Sequence, residues 1–203
     1  DIAAGNLTAI EERLKIVDFV APRDRKPVRE VVVTGPTAPH IATVEELSGK
    51  TVHVNPVSSY YQSVVKLNDK LTAAGKAPVK ITSVPHELED EDKLEMLNAG
   101  LFDYLVVDEW KAKIWAQVLP KVKVREDLVL RDDAYTGWAI RKNSPQLTAA
   151  LEDFYKNFVK KHGVVESRIA QFNKRIQQIS NNTESAELMR FEATLDLFEE
   201  YGN

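Results

Sequence analysis

Apolar and polar positions along this chain follow two alternating periods, and the switches between them fall at turn residues. Residues 28–34 (VREVVVT) form a largely apolar, β-branched run closed by Gly35-Pro36, the pattern of a strand. Residues 51–55 read as another strand. From Ser59 the apolar spacing becomes helical, continues to about Ala74 and stops at Gly75. Residues 79–84 read as a strand, 90–99 as a helix ended by Gly100, 104–107 as a short apolar strand, and 109–118 as a helix ended before Pro120. Strand, helix, strand, helix, strand at this spacing predicts βαβ units, an α/β fold and a mainly parallel sheet. Residues 122–130 and 135–141 are two further strands. Ser144-Pro145 opens a helix with Pro at its first position, reaching about Lys161, and another helix covers 164–179. Ser180-Asn181-Asn182 is a break. Leu188, Phe191, Leu195 and Phe198 at helical spacing predict a last amphipathic helix over 184–201.

Three boxes of Ser or Thr followed three residues later by Glu or Gln mark helix starts, because each side chain satisfies an orphan backbone donor of the other. Thr8 to Glu11 opens a helix to about Val17, Thr43 to Glu46 a short one stopping at Gly49, and Ser59 to Gln62 the long one, with Ser59 as its N-cap. The opening Asp1-Ile2-Ala3-Ala4-Gly5 reads as the end of a buried strand. That predicts a chain cut from a longer protein.

Composition narrows the chemistry. A length of 203 residues allows one or two domains, and 43% hydrophobic with 29% charged residues is ordinary for a globular protein with a sizeable core. The net charge of -4 gives no electrostatic footprint for nucleic acid or an anionic membrane. With no cysteine, disulfides, zinc–thiolate sites and a thiol nucleophile are excluded. No apolar run approaches the roughly 20 residues of a membrane helix, and no signal-peptide pattern is present. His40, His53, His86 and His162 lack ligand spacing, and the acidic run 87–92 reads as a solvated helix start. No metal and no cofactor is expected. Asn181-Asn182-Thr183 fits a glycosylation acceptor, a match common by chance.

The most specific stretch is Gly5-Asn6-Leu7-Thr8, then Glu12-Arg13, then Val17-Asp18-Phe19. From spacing alone, Arg13 pairs with Glu11 or Asp18, and Thr8 is a plain cap. The stretch also resembles the strand end and helix start of type 2 periplasmic solute-binding proteins, the amino-acid-binding branch. Val44 to Val54 resembles the segment that opens lobe II in that family, and 98–108 resembles its motif ending in Asp. Residues 135–142 resemble its return strand through the hinge. Residues 56–60 stand at a family turn that normally carries Gly, from which Pro56-Val57 departs.

The resemblance implies a type 2 periplasmic-binding-protein fold, with two lobes, mainly parallel sheets, a two-strand hinge and an incomplete lobe I. Residues 1–34 would be partial lobe I with the first hinge strand, 35–135 lobe II, and 136–179 the return strand and last helices of lobe I. It implies that Arg13, Thr8, Asn6, Ser58 and Ser59 hold a ligand carboxylate, and that Asp108 grips its ammonium. A guanidinium suits that task, since it gives a carboxylate two parallel charge-assisted bonds. Asp108 also follows an apolar strand, and open α/β sheets bind ligands at such carboxyl ends. Without the family, Asp108 caps the helix that starts at Glu109.

The segment 180–203 resembles the linker helix of membrane-bound lytic transglycosylases of the F type, in which a solute-binding-like domain precedes a peptidoglycan-cleaving one. The only Glu-Ser pairs, Glu166-Ser167 and Glu184-Ser185, lack that family's flanking residues, so no catalytic residue is assigned. The resemblance therefore implies a periplasmic sensor of a small amino acid or peptidoglycan-derived peptide, regulating a downstream transglycosylase domain and outer-membrane-associated through the full-length protein. The alternatives are an amino-acid transporter's binding protein and a structural docking module that binds nothing.

Overall fold

A computed structural model describes residues 1–20 and 27–183. The run VREVVVT forms β3 (Val28–Thr34), the centre of the larger body, with Val31, Val32 and Val33 fully buried. β3 is flanked by β6 (Tyr104–Asp108) and β7 (Lys123–Ala134), both antiparallel to it. A parallel pair, β4 (Thr51–Val54) and β5 (Lys80–Ser83), lies alongside, with β4 against β6. The helices between these strands are α2 (Ser59–Ala73), α3 (Asp90–Asn98) and α4 (Glu109–Trp115), and a 3-10 turn at Val44–Leu47 precedes β4.

One continuous apolar core holds this body together. Leu47, Val52, Val64, Leu71, Leu94, Leu97, Tyr104 and Leu105 are all buried in it. Each such side chain contributes about 1.5–3 kcal/mol relative to exposure. Gly35 closes β3 under a tight constraint. A Cβ there would lie 2.6 Å from the carbonyl oxygen of Phe102 and 2.9 Å from that of Leu97, so only glycine fits.

The smaller body is a three-stranded antiparallel sheet. β8 (Thr136–Arg141) lies between β1 (Ile2–Thr8) and β2 (Val17–Val20), with the one-turn helix α1 (Glu11–Leu14) joining the outer two. Against it lies α5 (Pro145–Phe154), followed by a π-helical stretch Tyr155–Lys160 and α6 (Val164–Thr183). Trp138, Phe154, Phe158 and His162 form a ladder of ring contacts at 6.0, 5.3 and 4.9 Å. α6 then crosses to the larger body, where Phe172 meets Trp115 of α4 edge-on at 6.5 Å and Ile176 is buried. The chain passes between the two bodies from β2 to β3 and again at Tyr135, between β7 and β8.

Several expectations change. The α/β class stands, but among the described residues only β4 and β5 form a parallel ladder. β3, β6 and β7 pair antiparallel, and so does the whole smaller sheet. Helical connections do not dictate parallel neighbours when another strand takes the place between them, as β3 does beside β6. Residues 1–6 do lie in or beside a strand, yet they are exposed rather than buried. No helix begins at Thr8: it is the last residue of β1, paired with Thr136, and α1 starts at Glu11 without a side-chain cap. The box at Thr43 gives only a 3-10 turn, where Glu46 accepts from the backbone of Ala42 and Thr43 caps nothing. The expected break at 180–182 is absent, since α6 runs on to Thr183. The amphipathic helix expected over 184–201 lies outside the described residues.

Candidate functional site

The expected site residues come together where the two bodies meet. Thr8 ends β1, Ser58 and Ser59 begin α2, and Asp108 ends β6. The Ser59 hydroxyl donates to the Thr8 hydroxyl at 3.3 Å, and both residues are buried. Arg13, at the edge of the smaller body, donates to the Thr8 carbonyl at 3.0 Å and to the Val57 carbonyl at 2.9 Å. The exposed Asn6 donates to Asp108 Oδ2 at 3.3 Å. Three side-chain bonds thus cross from α1 and β1 to the loop before α2, to α2 and to β6.

Arg13 does not make the ion pairs that spacing allowed. Glu11 pairs with Lys15, and Asp18 with Lys142. The guanidinium instead spans two backbone carbonyls. It stays charged, and three of its five N–H donors remain outside those two bonds.

At the start of α2 the roles of the two serines are exchanged. Ser58, not Ser59, is the N-cap: its backbone is extended and its hydroxyl accepts from the Tyr61 amide at 3.2 Å. Ser59 lies one step inside the helix, which frees its hydroxyl to reach Thr8.

Asp108 is 2% exposed and makes no side-chain cap on α4. Its Oδ1 is buried without a hydrogen-bond partner. Burial pushes its carboxyl up to about 6; Lys111 opposes this, the charges of Glu30 and Asp90 add to it, and Asn6 pulls the other way.

A polar layer beneath these residues was not expected. The Tyr60 hydroxyl accepts from the Asp108 amide at 3.3 Å and donates to Asp90 at 3.0 Å. Burial, with Asp108 and Asp90 close by, raises that phenol well above its ordinary range. Asp90 also holds Lys93 at 2.8 Å and Lys111 at 2.5 Å. Burial would raise its carboxyl, but the two ammonium groups more than offset this and hold it below the ordinary value. Asp90 is therefore not a solvated helix-start residue, as its acidic surroundings had implied. Glu30, fully buried in β3, accepts from Ser63 and, at 3.4 Å, from Arg131. A charged residue inside the run VREVVVT was the sequence signal for Glu30, since such runs are otherwise buried and apolar.

Beside Asn6 a cleft of about 630 Å³ opens between the bodies, with Arg29, Glu109, Trp110, Tyr135 and Ile169 on its walls. Glu109 is held by Arg29 at 2.6 Å and by Lys113 at 2.5 Å. Among the described residues no group of acidic or His side chains is arranged to hold a metal ion, and no helix is long and apolar enough to cross a membrane.

Comparison with known proteins places the fold. The structure of an amino acid transporter substrate-binding protein from Streptococcus pneumoniae, bound to L-arginine, superposes with a TM-score of 0.68 at 20% identity. The match covers 87% of this chain and 69% of that one. The chain has the type 2 solute-binding fold. An ancestral arginine-binding protein bound to arginine shares that fold with a TM-score of 0.64 at 24% identity, over 89% of this chain and 71% of that one. By sequence, the chain is similar to the membrane-bound lytic murein transglycosylase F of Saccharophagus degradans, 26% identical over 179 residues and 88% of this chain. The chain spans 34% of the length of that curated relative. No family model matches.

Proposed function

We propose that this chain is a periplasmic solute-binding domain that captures a small amino acid or a peptidoglycan-derived peptide between its two bodies. In this reading the smaller body, residues 1–20 and 136–179, is lobe I and the larger body, residues 28–135, is lobe II; β3 belongs to lobe II rather than to the 1–34 segment of lobe I that the sequence implied, and the two chain passages between the bodies are the hinge. Arg13, Thr8, Asn6, Ser58 and Ser59 hold the ligand carboxylate, and Asp108 its ammonium. Ser58 acts by fixing the start of α2, and Ser59 and Thr8 by their paired hydroxyls. The observation that carries the reading is the buried, unpartnered Oδ1 of Asp108 at the meeting of the two bodies. A desolvated carboxylate oxygen without a donor favours an incoming cation. The adjoining cleft supports a ligand larger than a single amino acid, because pockets of roughly 300–1,000 Å³ enclose drug-sized molecules.

The likeness to transglycosylase F supports a sensor role: in this reading ligand capture closes the hinge and regulates a transglycosylase domain further along a parent protein proposed to be associated with the outer membrane. The likeness to transporter proteins favours a second reading, delivery of an amino acid to a permease. Calorimetry with L-arginine, L-glutamine and a set of muropeptides tests capture. Arg13→Ala and Asp108→Ala are each expected to weaken binding at least about thirtyfold, since truncating one partner of a buried charge pair costs roughly 2 kcal/mol or more. Binding left intact in both variants, or no binding of any probe, rejects the reading. Peptidoglycan cleavage by the parent protein, assayed with and without a muropeptide that binds, separates the sensor from the transport protein.

A further inference from the structure

Glu30 and Asp108 are register partners on the antiparallel strands β3 and β6. Residues directly opposite in such a pair send their side chains to the same face, with Cβ atoms roughly 4.5–5.5 Å apart. Glu30 is 0% and Asp108 2% exposed. Each also has one carboxyl oxygen, Glu30 Oε1 and Asp108 Oδ1, buried without a hydrogen-bond partner. Two neighbouring carboxyls that each carry an unserved buried oxygen do not both ionise readily.

The surrounding donors are shared unequally between them. Glu30 is served from β7 by Arg131 and from α2 by Ser63, whose hydroxyl also accepts from Arg131 at 3.0 Å. From α3 and α4, Lys93 and Lys111 are both engaged by Asp90. From α2, the Tyr60 hydroxyl donates its hydrogen bond to Asp90 and meets Asp108 only at the backbone amide. Arg13 of α1 is bonded to two carbonyls. Asp108 receives a single neutral donor, Asn6 of β1. Among the described residues, the cations near the layer hydrogen-bond elsewhere, and Asp108 is the acid left without one.

We infer that Glu30 is a positioning residue for the Asp108 grip: its charge across the β3–β6 ladder favours the protonated form of Asp108 in mildly acidic solution, so that there the capture of an ammonium and the release of a proton are coupled. This rests on the ammonium role proposed for Asp108. The step balances, since the proton leaves Asp108 Oδ1 for solvent as the ammonium arrives, and no covalent bond changes. The pair thereby selects for ligands with a fixed positive charge and against their neutral, N-acylated counterparts.

The test needs no ligand. Carboxyl-carbon NMR of the whole chain follows Asp108 through pH 4–8 in the unsubstituted protein, in Glu30→Gln and in Ser63→Ala. Glu30→Gln removes the opposing charge, and the Asp108 midpoint is expected to fall by about one unit, the size of effect a close like charge exerts. Ser63→Ala removes the hydroxyl that serves Glu30 without adding bulk, and the Asp108 midpoint is expected to move as well. An Asp108 midpoint that stays in place in the variants that fold overturns the inference. An amino acid from the calorimetry set that binds equally well at pH 5 and pH 7.5 overturns it too. Failure of every probe to bind rejects the capture reading while leaving the Asp108 midpoint to be read by itself.

Discussion

The two bodies of this molecule are built to different standards. The larger encloses one continuous core, in which β3 and β6 are buried along almost their whole length. The smaller is thin: α1 and α5 bury no residue, β1 is exposed along most of its length, and Phe154 and Phe158 are 43% and 50% exposed. The expected site draws from both. Asp108, Ser58 and Ser59 are set in the firm body, Asn6, Thr8 and Arg13 in the thin one, and side-chain bonds of 2.9–3.3 Å join them. Precision on one side and compliance on the other would suit the proposed capture, because a site formed wholly in one rigid core has nothing to close.

This contrast is open to direct attack. The largest effect is expected in the core: Leu94→Ala, at a fully buried position, should cost about 2–5 kcal/mol in urea unfolding. A loss below about 1 kcal/mol would show that the larger body is not the firm one. Asp108→Asn should act in the opposite direction. A carboxyl raised to about 6 from its ordinary 3.8 favours the protonated fold, so stability drains away as pH climbs from about 4 to 6 and stays reduced above that. Removing the charge should add up to about 3 kcal/mol at pH 8 and nothing near pH 4, from roughly 1.4 kcal/mol per unit. Unfolding curves at the two pH values check the sign. Ser58→Ala removes a helix cap and should cost about 1 kcal/mol, whereas Ser59→Ala should leave α2 itself intact, which amide exchange along the helix can resolve. Least of all, Phe158→Ala in the exposed ladder should change stability by no more than about 1 kcal/mol.

Much of the larger body was legible because its punctuation is local. Gly49, Gly75 and Gly100 all sit at positive φ where stops were expected, and Asp108 does end the apolar strand. The misreadings share one cause. Thr8 satisfies the helix-start pattern, but cross-strand pairing with Thr136 and the hydroxyl of Ser59 outcompete a cap that is worth only about 1 kcal/mol. Two adjacent serines leave the cap ambiguous by one residue, and backbone geometry, not sequence, decides for Ser58. The polar layer was hidden for another reason. Asp90 finds Tyr60 and Lys111 at separations of 30 and 21 residues, and Glu30 finds Arg131 at 101, distances over which a pattern of neighbours carries no information.

α6 adds a mechanical consequence. Its twenty residues form a rod roughly 30 Å long at 1.5 Å per residue. The rod is pinned near its middle, where Phe172 and Ile176 rest on the larger body and α4, the helix that begins beside Asp108. A pivot at that place converts rotation into travel. A tilt of about five degrees around Phe172 sweeps Thr183 through roughly 1–1.5 Å, from the remaining length of the rod. Any tilt at that pivot is thus enlarged at the far end of the helix, with no change in its secondary structure.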